Sequence, residues 1–374
     1  MRLVLALMAL LALSTPLSAH EGHDHEAGAT VVASPASSSG GVETAFKSKK
    51  GPTPGATTGS GDLRFKYNAE LSKLPSEIAD RILRAHGGFA KTPGGDLYFG
   101  LRDTGLIHLS ADLRTKTLIA ANEYYASGGL HNCAYLERDG GLLIIPDDEG
   151  GRILIVDLEG NEVKTLKRPP FFPKGNYKPT DIDIASNGKA YVADGYGSTK
   201  KVFTIDLETM DYEAIKFGDR VTDSNQTPGR FSTSHGVTFD PTDDSVVVAD
   251  RERQWVQKFD LDGEFLAGFQ TGDSNPCDID FVDFGDDRLM VVGCLVGPKD
   301  GGTDKNDRPT RSNGVVQILR DGEVVSTLDL KNDLGLDQFR HVHNAAGVVR
   351  DGKLYVLCYG WNPGCYAVLE HVVE

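Results

Sequence analysis

From residue 86 onward, apolar and polar positions alternate in short runs, each closed by Gly, Asn or Asp, and the unit recurs. Alternation of period two predicts half-buried strands, and the closing residues predict tight turns between them. One copy begins at His86 with HGGFAKTPGGDLYFG. Others begin at His131 (HNCAYLERDGGLLIIPDDEGGRILIVDLEG), Thr180 (TDIDIASNGKAYVADGYGSTKKVFTIDLE) and His235 (HGVTFDPTDDSVVVADRERQWVQKFDLDG). Weaker copies start at Cys277 (CDIDFVDFGDDRLMVVGCLVG) and His343 (HNAAGVVRDGKLYVLCYGWNPG). Each has an alternating strand, a Gly/Asp turn and a second apolar strand, and most have a third. No stretch after residue 90 carries a helical period. Six copies in residues 86–374 leave about 48 residues per copy, the length of a four-stranded propeller blade. The predicted fold is all-β, a six-bladed β-propeller. Its longest insertion, Gly297 to Ser312, is rich in Gly, Asp and Lys and is expected to be a surface loop of blade five.

The chain ahead of the repeats has a different pattern. Met1-Arg2 precedes an apolar run of 11 residues, Leu3 to Leu13, and small residues lead to Ala19. That is the pattern of a cleaved signal peptide, expected over residues 1–19, with a secreted or periplasmic mature protein. No segment has the roughly 20 apolar residues that a membrane span needs. Residues 20–62 are rich in Gly, Ser, Thr and Ala and read as a flexible linker, and residues 63–85 as a short lead-in with a helix from Pro75 to Ala85. The linker opens with HEGHDHE, either a solvated tail or a Cu/Zn-binding one.

In a propeller the first strand of each blade lines the central channel, so equivalent blade starts form a ring. That ring reads His86, His131, Thr180, His235, Cys277, His343. His131, His235 and His343 stand at alternate blades, and three converging imidazoles can hold one metal ion with a position left open, as in catalytic zinc sites. His86 is read as a structural or supporting residue, and His341 as a candidate fourth ligand. Arg102, Tyr196 and Arg251 follow the second strands of their blades, where loops reach one mouth of the channel. Arg presents a fork to a carboxylate, and Tyr acts as acid or base when a cation lowers its pKa. Asp194 and Asp250 are read as turn caps.

Charge narrows the partners. With 39 Lys+Arg against 54 Asp+Glu, a formal charge of −15, the chain lacks the basic excess that phosphate backbones attract, so no nucleic-acid partner is expected. Five Cys in an oxidising compartment allow Cys358 to pair with Cys365 and Cys277 with Cys294, leaving Cys133 as a buried thiol.

The stretches PTDIDIASNGKAYVADGYGS, PGRFSTSHGVTFDP and VVVADRERQWVQKFDLDGEF resemble the catalytic domain of peptidyl-α-hydroxyglycine α-amidating lyases, which are six-bladed propellers of the NHL type. The resemblance implies one catalytic Zn²⁺ on His131, His235 and His343, a catalytic tyrosine at Tyr196, and active-site arginines at Arg102 and Arg251. It further implies cleavage of a C–N bond in a carbinolamide that ends in a carboxylate, giving an amide and glyoxylate. The substrate expected is therefore a small molecule or peptide with a terminal carboxylate, and the protein a monomer. Three departures stand out. Asn344 replaces the Asp that the family associates with Ca²⁺, His341 replaces a Met, and Gly197 replaces a disulfide Cys. The alternative is a non-enzymatic NHL propeller that binds a protein or peptide. A lactonase-like hydrolase is a third reading, disfavoured because such sites lean on carboxylate and Asn ligands.

Overall fold

Apolar runs such as LLIIPD (Leu142–Asp147) and SVVVAD (Ser245–Asp250) form strands buried along their whole length, because a neighbouring blade covers each face. These are the second strands of their blades. The computed structural model describes residues 51–373 apart from 83–85, 103, 121–124, 126–128, 173–175, 223–225, 298–312 and 362–363. The expected signal peptide, most of the expected linker and nearly all of the blade-five insertion lie outside the described residues.

The described residues build six antiparallel sheets of four or five strands, the blades of a β-propeller, and one two-stranded ribbon. Blades one to five run in chain order from first to last strand: Ala90 to Ala120, Ala134 to Leu166, Asp181 to Phe217, Ser234 to Gln270 and Pro276 to Leu328. First strands of successive blades pack against one another around the axis. Apolar clusters fill the wedges between blades, for example Ile144, Ile155, Val192 and Phe203 between blades two and three.

Blade six closes the ring with chain from both ends. Val342–Arg350, Lys353–Gly360 and Cys365–His371 are its inner three strands. Its outer two are Leu63–Tyr67 and Thr57–Ser60, with Phe65 opposite His371 and Tyr67 opposite Leu369. The expected boundary at residues 62 and 63 therefore falls in the turn of a hairpin. Residues 57–67 belong to the propeller, not to a linker and a lead-in. Leu63 and Phe65 are driven there by burial against Leu328 and Leu369. Of the expected helix from Pro75 to Ala85, the described residues hold one α-helical turn, Ser76–Ala79, whose Ile78 packs under blade one, and residues 83–85 lie outside the described residues.

All five cysteines are free and buried, so neither expected disulfide forms. Cys358 lies opposite Ala367 and Cys365 opposite Gly360, which leaves the two thiols diagonal across the pair. Diagonal neighbours stand roughly 7–8 Å apart, beyond disulfide reach. Cys277 is turned away from Cys294 by a bulge.

Candidate metal centre

That bulge recurs, and it builds the site. Ser234 faces Asp250 and Gly236 faces Ala249, so His235 is an extra residue in its ladder. Pro276 faces Cys294 and Asp278 faces Gly293, which leaves Cys277 extra; Val342 faces Gly360 and Asn344 faces Tyr359, which leaves His343 extra. A bulge takes one residue out of the alternation and re-aims its side chain. Here it turns two imidazoles and a thiol toward the axis. The close approach between blades depends on Gly236, where a Cβ would stand 2.7 Å from the Cys277 carbonyl oxygen.

The rings of His131, His235 and His343 form a nearly equilateral triangle with centroid separations of 5.0, 4.9 and 5.0 Å. A tetrahedral zinc with Zn–N of about 2.05 Å places imidazole centroids about 3.2 Å from the ion, and hence about 5.2 Å from each other. The ring centroids stand at that spacing, while the ligand atoms themselves gather in two overlapping groups that share His343. All three histidines are buried, and neither ring nitrogen of His131 makes a hydrogen bond of normal geometry among the described residues, although the Thr180 backbone and the Asn132 side chain lie close enough to act on it. Burial, with the Arg251 charge adding to it, lowers His131 to about 3 and His235 well below its ordinary value. Both rings are therefore neutral at pH 7, the form that ligates.

The structure enlarges the donor set. His86, expected to be structural or supporting, lies 4.4 Å from His131 and 4.3 Å from His343 between ring centroids. Potential ligand atoms of His86, His131 and His343 lie within 4.8 Å of one another, as do those of His235, Cys277 and His343. His341 is not in either group; its Nδ1 meets the Trp361 carbonyl at 3.0 Å. The bulge at His343 breaks the alternation that would have turned His341 the same way.

Antiparallel pairing sets the end of each second strand beside the start of the first, so the residues after the second strands meet the ring. Tyr196 Oη lies 2.9 Å from His235 Nε2, and Arg251 Nη1 donates to that Oη at 3.1 Å. His235 Nδ1 is 2.7 Å from the Cys277 carbonyl, which only accepts. Nδ1 therefore carries the proton, and Nε2 offers its lone pair to the tyrosine or to an ion. Burial pushes the Tyr196 phenol well above its ordinary value, with the Arg251 charge pulling the other way. Arg251 is itself buried and held by Glu252 at 2.6 Å.

Arg102 reaches the same mouth but donates to Glu149 at 2.6 Å, with a quarter of its side chain exposed. Its charge is felt at His86 and His131. Beside it stands Asp148, which sequence reasoning missed: it is buried, its Oδ1 has no partner among the described residues, and burial pushes it up to about 7. Asp194 caps the turn that follows it, accepting from Thr199 N–H at 3.2 Å and Thr199 Oγ1 at 2.6 Å, whereas Asp250 does not cap its turn and instead accepts from the backbone N–H of Ser232 at 2.9 Å and Thr233 at 3.2 Å, ahead of its blade's first strand.

One residue further along the inner strands the channel changes character. Asn344 donates to Asn132 at 2.7 Å and Asn132 to Asp278 at 2.9 Å, beside a cavity of about 340 Å³ that Asp181, Asp183 and Asp280 also line. Burial raises Asp181 and Asp278 well above the carboxylate range.

Fold and ring together define a six-bladed β-propeller with an imidazole-rich centre among its inner strands. The NHL repeat model matches residues 231–259, which carry His235, Arg251 and the first two strands of blade four. The chain is also similar to a probable peptidyl-α-hydroxyglycine α-amidating lyase of Caenorhabditis elegans, 35% identical over 96 residues. It is similar to the peptidylglycine α-amidating monooxygenase of Rattus norvegicus, 30% identical over 86 residues. These matches cover 26% and 23% of the chain, and 24% and 8% of the respective relatives.

Proposed function

We propose that this protein is an exported, monomeric, metal-dependent lyase that cleaves the C–N bond of an α-hydroxyglycine-type carbinolamide, releasing an amide and glyoxylate. The observation that carries the reading is the 5 Å triangle of His131, His235 and His343 with Tyr196 and Arg251 in series at one corner, where an ion on His235 Nε2 would take the lone pair that Tyr196 now meets and free its Oη for the substrate. The similarity to a probable amidating lyase supports the reaction class.

In this reading the three imidazoles hold Zn²⁺, which supplies Lewis acidity toward the substrate hydroxyl. The hydroxyl must lose a proton as its carbon becomes the aldehyde of glyoxylate, and the leaving amide nitrogen must gain one. Tyr196 Oη is the group placed to move that proton, and the Arg251 charge works against the burial that raises the phenol. Arg102, steered by Glu149 at the mouth, is the fork for the terminal carboxylate. No role for Ca²⁺ is included, since Asn344 offers a neutral amide where the resembled family has a carboxylate.

The test is glyoxylate release from an N-acyl-α-hydroxyglycine by the zinc-loaded mature protein. Tyr196→Phe should lower kcat by about 10²–10⁴ with zinc retained. Zinc-loaded wild type that releases no glyoxylate above the uncatalysed rate would overturn the reading.

A further inference from the structure

Four of the five cysteines are explained by packing or strand position. Cys133 Sγ lies 3.3 Å from the Gly88 carbonyl, Cys294 Sγ 3.7 Å from that of Val292, and Cys358 and Cys365 are in the wedge beneath blade six. Cys277 is different. It is fully buried, and its bulge turns it out of the sheet's alternation at the same ring position that carries histidine in four other blades. Its Sγ, one nitrogen of His235 and one of His343 lie within 4.8 Å of one another. Around a tetrahedral zinc with Zn–S of about 2.3 Å and Zn–N of about 2.05 Å, ligand sulfur and nitrogen stand about 3.5 Å apart. The gap is at most about 1.3 Å, within reach of a χ1 adjustment of the cysteine. A second observation points to an ion at the same place. His131 is completely buried 5.0 Å from both His235 and His343 between ring centroids, and neither of its nitrogens makes a hydrogen bond of normal geometry among the described residues, although Thr180 and Asn132 act on the ring.

We propose that Cys277 Sγ is a further protein ligand of the ion held by His131, His235 and His343, so that the resting centre is a mixed imidazole–thiolate one. The proposal rests on the metal-centre reading above and sharpens it. A thiolate among the donors selects thiophilic ions such as Zn²⁺, Cd²⁺ or Cu⁺ and disfavours Ca²⁺, Mg²⁺ and Mn²⁺. The thiolate fills the position that three imidazoles leave open, and a substrate hydroxyl must compete for it. Arg251, whose charge is felt at the Cys277 thiol and whose Nη1 donates to Tyr196 Oη, then serves thiolate and tyrosine together.

The test uses cobalt(II) as a spectroscopic probe in the purified mature chain, comparing wild type, Cys277→Ser and Cys133→Ser. Bound cobalt is counted by elemental analysis and folding is checked by circular dichroism. The expected result is one Co²⁺ per chain with intense thiolate-to-cobalt charge-transfer absorption in the near ultraviolet. That absorption should be lost in Cys277→Ser and kept in Cys133→Ser. A folded Cys277→Ser chain that binds no cobalt, while wild type shows the band, supports the same ligation. One cobalt per chain without the band in wild type overturns the thiolate but leaves the imidazole centre standing. Wild type that takes up no cobalt at all overturns the metal-centre reading, and the thiolate with it.

Discussion

Asp148 is a buried carboxyl beside the candidate centre whose cost can be read from its surroundings. Burial is the largest influence on it; Glu149 and Asp147 add to burial, Arg102 and Lys178 favour the carboxylate, and the balance lifts it from 3.8 to about 7. A carboxyl raised in the folded state holds its proton more tightly there than in the unfolded chain. The associated stability is complete below pH 3.8 and is lost as pH rises through 7. Three pH units at about 1.4 kcal/mol each put the cost of the ionised form at about 4 kcal/mol above pH 8. Asp148→Asn keeps the shape and removes the charge. Urea unfolding should therefore find the variant more stable than wild type by up to about 4 kcal/mol at pH 8.5, shrinking to about 1 kcal/mol at pH 4.5. Other acidic groups titrate equally in both proteins and cancel. An advantage independent of pH, or a variant less stable at pH 8.5, would refute the reasoning. It would mean that Arg102 and Lys178 compensate the carboxylate in full.

Three further outcomes follow from the same geometry. Phe65→Ala, which empties a fully buried site on the strand that closes the ring, should cost about 3–5 kcal/mol in chemical denaturation, far more than an exposed linker residue would. Gly236→Ala should weaken zinc binding at least about tenfold without unfolding the chain, since the added Cβ meets the backbone that positions Cys277; chelator competition measures it. His86→Gln should lower zinc affinity in the same assay, because its Nδ1 is buried without a partner among the described residues and faces two other imidazoles; unchanged affinity would return His86 to a packing role.

The six-fold architecture was legible because each blade repeats the same alternation and the same Gly/Asp turns, and because six copies divide the length evenly. The convergence of His131, His235 and His343 was legible for a related reason. In a ring of equivalent strands, equivalent positions share one height on the axis. What the pattern did not carry was the local ladder. An extra residue at a blade start is invisible in composition, yet it decides that Cys277 faces the axis and not Cys294, and that His341 and His343 diverge. The closing hairpin was hidden differently: the Gly, Ser and Thr around Gly59 outweighed the alternation of Leu63, Phe65 and Tyr67. Asp148 passed as one more turn aspartate in IPDDEGG, because burial by Gly129 and the Arg102–Glu149 pair is a tertiary fact.

The central claim is that the ring of blade-start histidines holds one ion. Its most direct test is the metal content of the purified mature chain by inductively coupled plasma mass spectrometry, wild type beside His235→Ala, both prepared without chelator. The account predicts about one zinc per wild-type chain and loss of most of it in the variant. Wild type without stoichiometric metal, or a folded His235→Ala chain that keeps its full complement, would contradict it.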